Sequence, residues 1–387
     1  MIRDQDNFDQ FLQSVRRFVR ERLLPREDEV AQTDAIPPDL VQGMRELGLF
    51  GLSIPERFGG LDLTLEETVL VIAELCRASA AYRSFTAGNV GVASQTILLG
   101  GTEQQQQEYL PELASGRIIG SFCLTEPEAG SDAASVKTRA TRDGDSYVIN
   151  GTKRFITNSP HAGLYVVVAR TDPATRGASG VSAFAVRAGT PGLSTGKPMR
   201  KMGQQGAQIA DVIFEDCRIP AANLLGGREG QGFHTAMQVL DKGRLHIAAV
   251  ALGIAQRALE EGTRYALQRV QFGKPLADFQ MVKAMLADSQ ADIYAARCMM
   301  LDAARRRDLE EDITLEASCC KLFATEMCGR AVDRTVQIHG GSGYVAEFAA
   351  ERLYRDARVL RIYEGASDIQ RLVIARELLR RHASQTD

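Results

Sequence analysis

The spacing of apolar residues changes twice along this chain of 387 residues. Up to about residue 113, apolar residues recur every three or four positions, as on one face of a helix. Between 120 and 232 the chain has short alternating or apolar runs separated by turn residues, and from 233 onward the helical spacing returns. We therefore predict an N-terminal helical domain (1–119), a middle antiparallel β domain (120–232) and a C-terminal helical domain (233–387).

The individual elements follow from the same spacing. The apolar residues from Phe8 to Leu23 indicate an amphipathic helix that stops at Pro25. Asn150-Gly151 is a typical hairpin signal in the middle segment. The remaining predicted helices are 38–47, 65–79, 84–98, 104–113, 233–268, 276–307, 312–339 and 346–358. The predicted strands are 164–169, 181–186 and 210–214, and the predicted hairpin lies within 147–156.

One carboxylate stands just before the last predicted helix, 368–380. Ser367 followed by Gln370 is a capping box, which places the start of that helix at about residue 368. Gly365 gives the preceding turn its freedom and leaves room for a flat ligand to approach. A carboxylate held beside an apolar ligand is partly desolvated, which raises its pKa and makes it a better base. Glu364 is therefore a candidate base, although its charge could equally serve only the helix N-terminus.

Composition excludes several classes of function. The 46 basic and 49 acidic residues leave a formal charge of -3, which argues against nucleic acid or an anionic membrane as a partner. No apolar run is long enough to span a membrane, and the N-terminus has no signal or transit pattern, so a cytoplasmic protein is expected. The seven cysteines and five histidines show no metal-binding spacing. We predict no metal site and reduced, mostly buried thiols.

Six motifs occur in an order that resembles the acyl-CoA dehydrogenase family over nearly the whole chain. They begin with Cys-Leu-Thr-Glu-Pro-Glu-Ala-Gly-Ser-Asp and end with Tyr-Glu-Gly-Ala-Ser, and they occupy residues 123–132, 155–158, 240–244, 269–276, 337–344 and 363–367. The resemblance implies an N-terminal helical bundle, a β-barrel-like middle domain and a C-terminal helical bundle. It also implies FAD as cofactor, an acyl-CoA substrate, an electron-transfer flavoprotein as electron acceptor and a homotetramer.

The resemblance further implies which residues hold the cofactor. Those expected to wrap the flavin ring are Thr125, Ser131, Phe155 and Thr157, with Phe155 where the family usually has Trp. Those expected to reach FAD from a neighbouring subunit or from the C-terminal motifs are Arg269, Gln271, Phe272, Gln280, Gln337, Gly340, Gly341 and Ser367. From the residues alone, Thr125 and Ser131 also suit ordinary turn chemistry, and Arg269 also suits a surface loop that ends a helix.

Substrate residues are implied in the same way. Asp241 and Arg244 are expected near the adenosine end of the CoA thioester and Tyr363 at the base of the acyl pocket. Ser131 and Gly365 are expected as further substrate contacts. Asp241 and Arg244 are three residues apart, so a simple ion pair within one helix also explains them. Some relatives carry their catalytic carboxylate at the position of Gly243, which cannot act as a base, and this strengthens Glu364.

The implied reaction converts a saturated acyl-CoA into the trans-2-enoyl-CoA. Glu364 would remove the α proton while the β hydrogen leaves as hydride to the flavin. Gly88 and Gly91 could deepen the acyl pocket, whereas Phe85 and Tyr363 could shorten it, so short- to medium-chain acyl groups are expected, branched ones included. Two alternatives remain open: an acyl-CoA oxidase-like enzyme that uses oxygen, and an inactive helical interaction protein on the same scaffold.

Overall fold

The computed structural model describes residues 1–175 and 177–383, and its first segment is helical as predicted. This segment contains α1 (Gln5–Phe18), α2 (Glu27–Thr33), α3 (Pro38–Glu46), α4 (Leu65–Leu75), α5 (Ala80–Ala87), α6 (Ala93–Gly100) and α7 (Glu103–Ala114). The predicted apolar face of α1 is buried, and the helix continues as a π-helical turn (Val19–Leu23) to the proline. The sequence prediction missed α2, whose seven residues are too few to show a clear period.

Two helix boundaries differ from the prediction for a local reason. The helix predicted over 65–79 ends earlier, because the side chain of Ser79 accepts a hydrogen bond from the backbone N–H of Ala81 and caps α5. The helix predicted over 84–98 therefore begins earlier, and a π-helical turn (Gly88–Val92) joins α5 to α6. The turn contains a non-helical residue, Gly91, so this stretch is bent.

The middle segment forms one sheet of seven strands. The strands are β1 (Ile119–Cys123), β2 (Arg139–Asp143), β3 (Ser146–Thr157), β4 (Ala162–Arg170), β5 (Val181–Arg187), β6 (Leu193–Thr195) and β7 (Ile209–Pro220). Their order is β1-β4-β2-β3-β7-β6, with β5 also paired to β4. Most pairs are antiparallel as predicted, but β1 runs parallel to β4, so the sheet is mixed.

The hairpin predicted at Asn150-Gly151 is wrong. These residues lie inside β3, at a register shift where β3 pairs with β7, and the chain reverses instead between β2 and β3. The Asn150 side chain donates to the Asp216 carboxylate at 3.1 Å and accepts from the Asp216 backbone N–H at 2.8 Å. An Asn-Gly pair suits a bulge as well as a turn, and pairing with a neighbouring strand decided between them here.

The C-terminal segment packs long helices around one central helix. It contains α8 (Gly232–Gln268), a small hairpin of β8 (Val270–Gln271) and β9 (Lys274–Pro275), α9 (Gln280–Asp308), α10 (Thr314–His339), α11 (Ala349–Arg358) and α12 (Ser367–Ala383). Residues 245–255 of α8 are all buried. A helix that is apolar all round must be covered on every side, and α4, α9 and α10 cover it. The three segments together confirm the predicted fold class.

The start of α12 is close to the predicted position, but its predicted capping box does not form. The Ser367 hydroxyl donates to the Glu326 carboxylate at 2.7 Å. The Gln370 amide donates to the backbone oxygens of Gly365 at 3.1 Å and Glu364 at 3.4 Å. The two side chains therefore hold the preceding loop against α10 and α12, instead of capping the helix reciprocally.

Two further observations bear on the composition-based predictions. Across residues 1–175 and 177–383, no helix is long and apolar enough to cross a membrane, and no cluster of His, Cys, Asp and Glu could hold a metal ion. All seven cysteines are free, and five of them are buried: Cys76, Cys123, Cys217, Cys320 and Cys328.

Candidate active site

Glu364 lies on a constrained loop between a 3₁₀ turn (Val359–Arg361) and α12. Its φ is +49° and that of Gly365 is +88°, so two consecutive residues adopt the left-handed conformation. This conformation costs a residue with a side chain on the order of 1–2 kcal/mol, so surrounding contacts must maintain it. Lys321 supplies one such contact, because its ammonium donates to the Gly365 backbone oxygen at 2.7 Å. Together with Gln370, it fixes the loop.

The Glu364 carboxylate faces α8 at Gly243. Its Oε2 atom is buried and has no hydrogen-bond partner among the described residues. A Cβ atom built on Gly243 would collide with that same Oε2. A buried acceptor without a partner is costly and uncommon in proteins. Its presence here, beside a glycine that leaves it space, is typical of a group that meets its partner in a ligand.

Burial and the neighbouring cations have opposite effects on the pKa of Glu364. Burial raises the pKa of Glu364, and the nearby charges of Arg83, Lys321 and Arg244 act in the opposite direction, with a net upward shift. Burial also lowers the pKa of the Lys321 ammonium to about 8. The carboxyl group is therefore less acidic than an exposed glutamate, which suits a base that must hold a proton from carbon.

A cavity of about 360 Å³ opens beside Glu364, between α4, the α5–α6 bend, α8 and the end of α9. This volume lies within the range of small-ligand pockets, about 300–1,000 Å³. Buried Arg83 and His246 line one part of the wall, and partly or fully exposed residues such as Asp62 and Glu310 line another. Burial lowers the pKa of the His246 imidazole to about 3, so this ring is neutral.

The prediction of which residues set the pocket depth was mostly wrong. Of the four residues considered, only Gly91 lines the cavity. Phe85 packs into the N-terminal core, with its ring 6.1 Å from that of Phe50. Tyr363 packs against the C-terminal core, and a Cβ atom on Gly88 would collide with the backbone of β1.

Asp241 and Arg244 form the ion pair that their spacing allows. The guanidinium donates to the Asp241 carboxylate at 2.5 Å and to the Ser318 hydroxyl at 3.2 Å. Arg244 follows Gly243 directly, and its charge reaches Glu364. Arg244 therefore lies near the candidate base as well as in the ion pair with Asp241.

Two cations near Glu364 were missed by the sequence prediction. Arg83 on α5 is 4% exposed, and Lys321 on α10 is fully buried. A signal was available for both, because each is isolated in its stretch of sequence. Arg83 is the only charged residue between Arg77 and Glu103, and Lys321 is the only basic residue from 308 to 329.

Three of the predicted flavin residues meet at one edge of the sheet. A register shift in β3 makes Phe155 protrude with a φ of +57° and 55% of its surface exposed. The backbone N–H of Arg154 donates to the backbone oxygen of Thr125 at 2.8 Å, and the Ser121 hydroxyl donates to the backbone oxygen of Thr157 at 2.7 Å. Thr125, Phe155 and Thr157 therefore lie close together around an exposed aromatic ring, and both threonines are partly exposed.

The other predicted cofactor residues lie elsewhere. Ser131 is exposed on the loop after β1, whereas Ser367 is buried with its hydroxyl engaged by Glu326. A separate exposed group lies at the ends of α8 and α10 and consists of Arg269, Gln271, Phe272, Gln280, Gln337, Gly340 and Gly341. Tyr265 joins the two helix ends, since its ring stacks on His339 at 4.3 Å and its hydroxyl bonds that of Ser342 at 3.2 Å. The Arg269 side chain makes no hydrogen bond or ion pair within the described part of the chain.

Comparisons with known proteins agree along nearly the whole chain. Three family models match in order: "Acyl-CoA dehydrogenase, N-terminal domain" over residues 5–117, the middle domain over 121–217 and the C-terminal domain over 230–379. A relative from Bacillus subtilis (strain 168), the probable acyl-CoA dehydrogenase YngJ, is 44% identical over 95% of this chain and 96% of its own length.

Solved structures give the same result. The structure of butyryl-CoA dehydrogenase from Megasphaera elsdenii matches with a TM-score of 0.94 and 37% identity, covering 98% of this chain and 100% of that chain. A chain in the structure reported for the electron transferring flavoprotein of Acidaminococcus fermentans, in work on flavin-based electron bifurcation, matches with a TM-score of 0.94 and 38% identity over the same shares.

Proposed function

The chain belongs to the acyl-CoA dehydrogenase family and is an acyl-CoA dehydrogenase, and from this premise we propose that Glu364 is the base that removes the α proton of a short- to medium-chain acyl-CoA. The observation that carries the assignment is the Glu364 Oε2 atom, which is buried beside the cavity and lacks any partner among the described residues. A C–H group of a bound thioester would fill the space that faces it.

The loop geometry supports this role. A proton α to a thioester is weakly acidic, so the base must be held close to it and in a fixed orientation. Lys321 and Gln370 both donate hydrogen bonds to the backbone oxygen of Gly365, and these bonds fix the loop that carries the Glu364 carboxylate. The Glu364 backbone N–H is the donor we assign to the developing charge on the thioester oxygen. Loss of one such donor typically costs about 3–4 kcal/mol.

The exposed surface of Thr125, Phe155 and Thr157 fits a flavin. A flat ring system needs an aromatic contact on its face and donors at its polar edge, and this surface provides both. We assign FAD to it, and Ser131 and Ser367, which lie outside this surface, remain predicted contacts of the same cofactor. Bound FAD supplies the acceptor for the β hydrogen, which leaves as hydride. Phe155 occupies the place of the family's usual Trp and provides a smaller aromatic face.

Arg269 and the exposed glycine turn suit a phosphate group from another molecule. A guanidinium binds phosphate well, and among the described residues no atom lies within 4 Å of a Cβ atom built on Gly340 or Gly341. Phe272 and Tyr344, which are 93% and 87% exposed, lie near these groups in the sequence. Exposed aromatic residues of this kind mark protein interfaces. We therefore propose that this surface contacts a neighbouring subunit in a homotetramer, and that Arg269 reaches the FAD bound to that subunit.

The electron acceptor is proposed from the relatives. A similar chain is reported in a structure of an electron transferring flavoprotein, and we propose such a protein as the acceptor here. The enzyme is expected to act in the cytoplasm.

One experiment tests these assignments and both alternatives. Purified protein is examined for a flavin spectrum, mixed anaerobically with acyl-CoAs of graded length, and then mixed with either electron-transfer flavoprotein or oxygen. The proposal predicts a bound flavin that short acyl-CoAs bleach and that electron-transfer flavoprotein reoxidises. Rapid reoxidation by oxygen with peroxide formation would instead identify an oxidase, and a colourless protein that binds no flavin would identify an inactive scaffold.

A further inference from the structure

We propose that Arg83 binds an anionic group at the far end of the acyl chain, so that thioesters of short dicarboxylic acids are the preferred substrates. This inference rests on the function proposed above. It names the substrate class that the site selects.

The first observation is that Arg83 is buried without a partner. Its side chain lies on α5 and the residue is only 4% exposed. Among residues 1–175 and 177–383, no side chain or backbone oxygen accepts a hydrogen bond from its guanidinium, and no carboxylate pairs with it. Arginine is almost never buried unless it is paired, because removing its charge from water is costly. A buried arginine that faces a cavity therefore indicates a ligand that carries the partner.

The second observation is where Arg83 lies. It lines the same cavity of about 360 Å³ as Glu364. Three neighbouring cations lower the pKa of Glu364, and Arg83 acts more strongly than Lys321 and Arg244. A thioester with its α carbon at Glu364 would extend its acyl chain into this cavity. The end of that chain would then meet the guanidinium.

The chemistry of the acyl end follows from this position. A methyl end would exclude water from the guanidinium and give it no partner, which is unfavourable. A carboxylate of matching length would accept two parallel hydrogen bonds from it. The cavity therefore favours a negative charge at the end of the chain and disfavours an apolar end.

Arg83 differs in this respect from the other cations around the cavity, of which Arg307 is only partly buried. Lys242 lines the same cavity, but its ammonium donates to the Gln95 side chain at 3.4 Å. Arg244 is held by Asp241 at 2.5 Å. A role limited to compensating Glu364 would place the Arg83 guanidinium in hydrogen bonds with that carboxylate. Within the described part of the chain the Glu364 Oε2 atom has no hydrogen-bond partner, so charge compensation alone explains neither this oxygen nor the guanidinium.

The test compares matched substrates with the flavin-loaded enzyme. The probes are the CoA thioesters of the four-, five- and six-carbon dicarboxylic acids, their ω-methyl esters, and butyryl-, pentanoyl- and hexanoyl-CoA. We expect kcat/KM for one dicarboxylic thioester to exceed that of its methyl ester and of the uncharged chain by at least about 100-fold, the usual scale for a buried charge pair. An uncharged chain that reacts as well as every dicarboxylic thioester would overturn the proposal.

Variants assign the preference to one residue. Arg83→Met should lower kcat/KM for the dicarboxylic thioester by at least about 100-fold and leave or raise the value for the uncharged chain. Arg83→Lys should retain part of the preference. Lys242→Met removes another positive charge from the same cavity, and it should change the ratio between the two substrates by less than about tenfold. If Lys242→Met abolishes the preference as fully as Arg83→Met, the assignment to Arg83 is wrong.

The outcomes separate this inference from the function on which it rests. A flavin that neither substrate series bleaches would refute the proposed function itself. Bleaching by uncharged chains with no preference for a carboxylate would refute only the role of Arg83. If Arg83→Met does not retain flavin, the substrate comparison with unaltered enzyme and with Arg83→Lys decides the question.

Discussion

Replacing Gly243 by alanine should separate stability from activity. Gly243 lies inside α8, where glycine is about 1 kcal/mol less favourable than alanine. The added methyl group would collide with Glu364 Oε2, the end of a flexible side chain, while the helix backbone needs no change. We therefore expect Gly243→Ala to fold with unchanged or higher stability and to displace the carboxylate from its position against α8.

The expected loss of activity follows from that displacement. A misplacement on the order of 1 Å at a reacting group costs roughly 100-fold in rate, which corresponds to about 2.7 kcal/mol of transition-state stabilisation. Gly262→Ala is a matched control on the same helix, because its added Cβ would lie 3.4 Å from the Thr335 hydroxyl oxygen, an ordinary contact. The control should gain the same helix propensity without loss of activity.

Thermal unfolding and anaerobic flavin reduction by acyl-CoA, measured on both variants, check this reasoning. The predicted pattern is a slow Gly243→Ala enzyme with a normal melting temperature and a Gly262→Ala enzyme that reacts normally. A Gly243→Ala enzyme that reduces its flavin within about threefold of the normal rate would show that the carboxylate does not work from its place against α8.

Three further predictions concern the cations. Arg269→Ala should weaken flavin retention and subunit assembly together, which flavin content and gel filtration measure. Full flavin occupancy with an unchanged assembly would show that Arg269 is an ordinary surface residue. Lys321→Met should shift the acidic limb of the kcat/KM profile to higher pH, because the rate rises as Glu364 ionises and loss of a nearby cation raises the pKa of Glu364. An unshifted limb would contradict that coupling. Arg244→Ala should lower kcat as well as raise KM, since Arg244 lies beside Glu364, whereas an effect on KM alone would support the adenosine contact expected from the sequence.

The spacing of apolar residues was sufficient to predict the order of helical, β and helical segments, because it reports directly which face of each element is buried, and the family resemblance supplied the bundle architecture. Prediction from short local motifs failed where the same motif is compatible with two different structures. Asn150-Gly151 suits a hairpin turn, but the partner across the sheet, Asp216, binds the Asn150 side chain and keeps β3 continuous. The capping box at Ser367 failed for the same reason, since Glu326 on α10 competes for its hydroxyl.

The candidate site was predicted only where its chemistry lies in one short segment. Glu364 and Gly365 are adjacent, so their motif is visible in the sequence. Arg83 and Lys321 lie about 281 and 43 residues away from Glu364 in the chain, by subtraction of their numbers, and only the folded helices bring them to it. Their isolation among uncharged or non-basic neighbours marked them as unusual, but it did not identify what they face.

The most direct test of the central claim is the rate of flavin reduction in Glu364→Gln. The amide has nearly the shape of the carboxylate but cannot accept a proton, so we expect the variant to retain FAD, bind acyl-CoA and reduce its flavin at least about 1,000-fold more slowly, within the usual contribution of a general base. Stopped-flow mixing with saturating acyl-CoA in the absence of oxygen measures this rate. Flavin reduction within about tenfold of the normal rate would place the base at another residue.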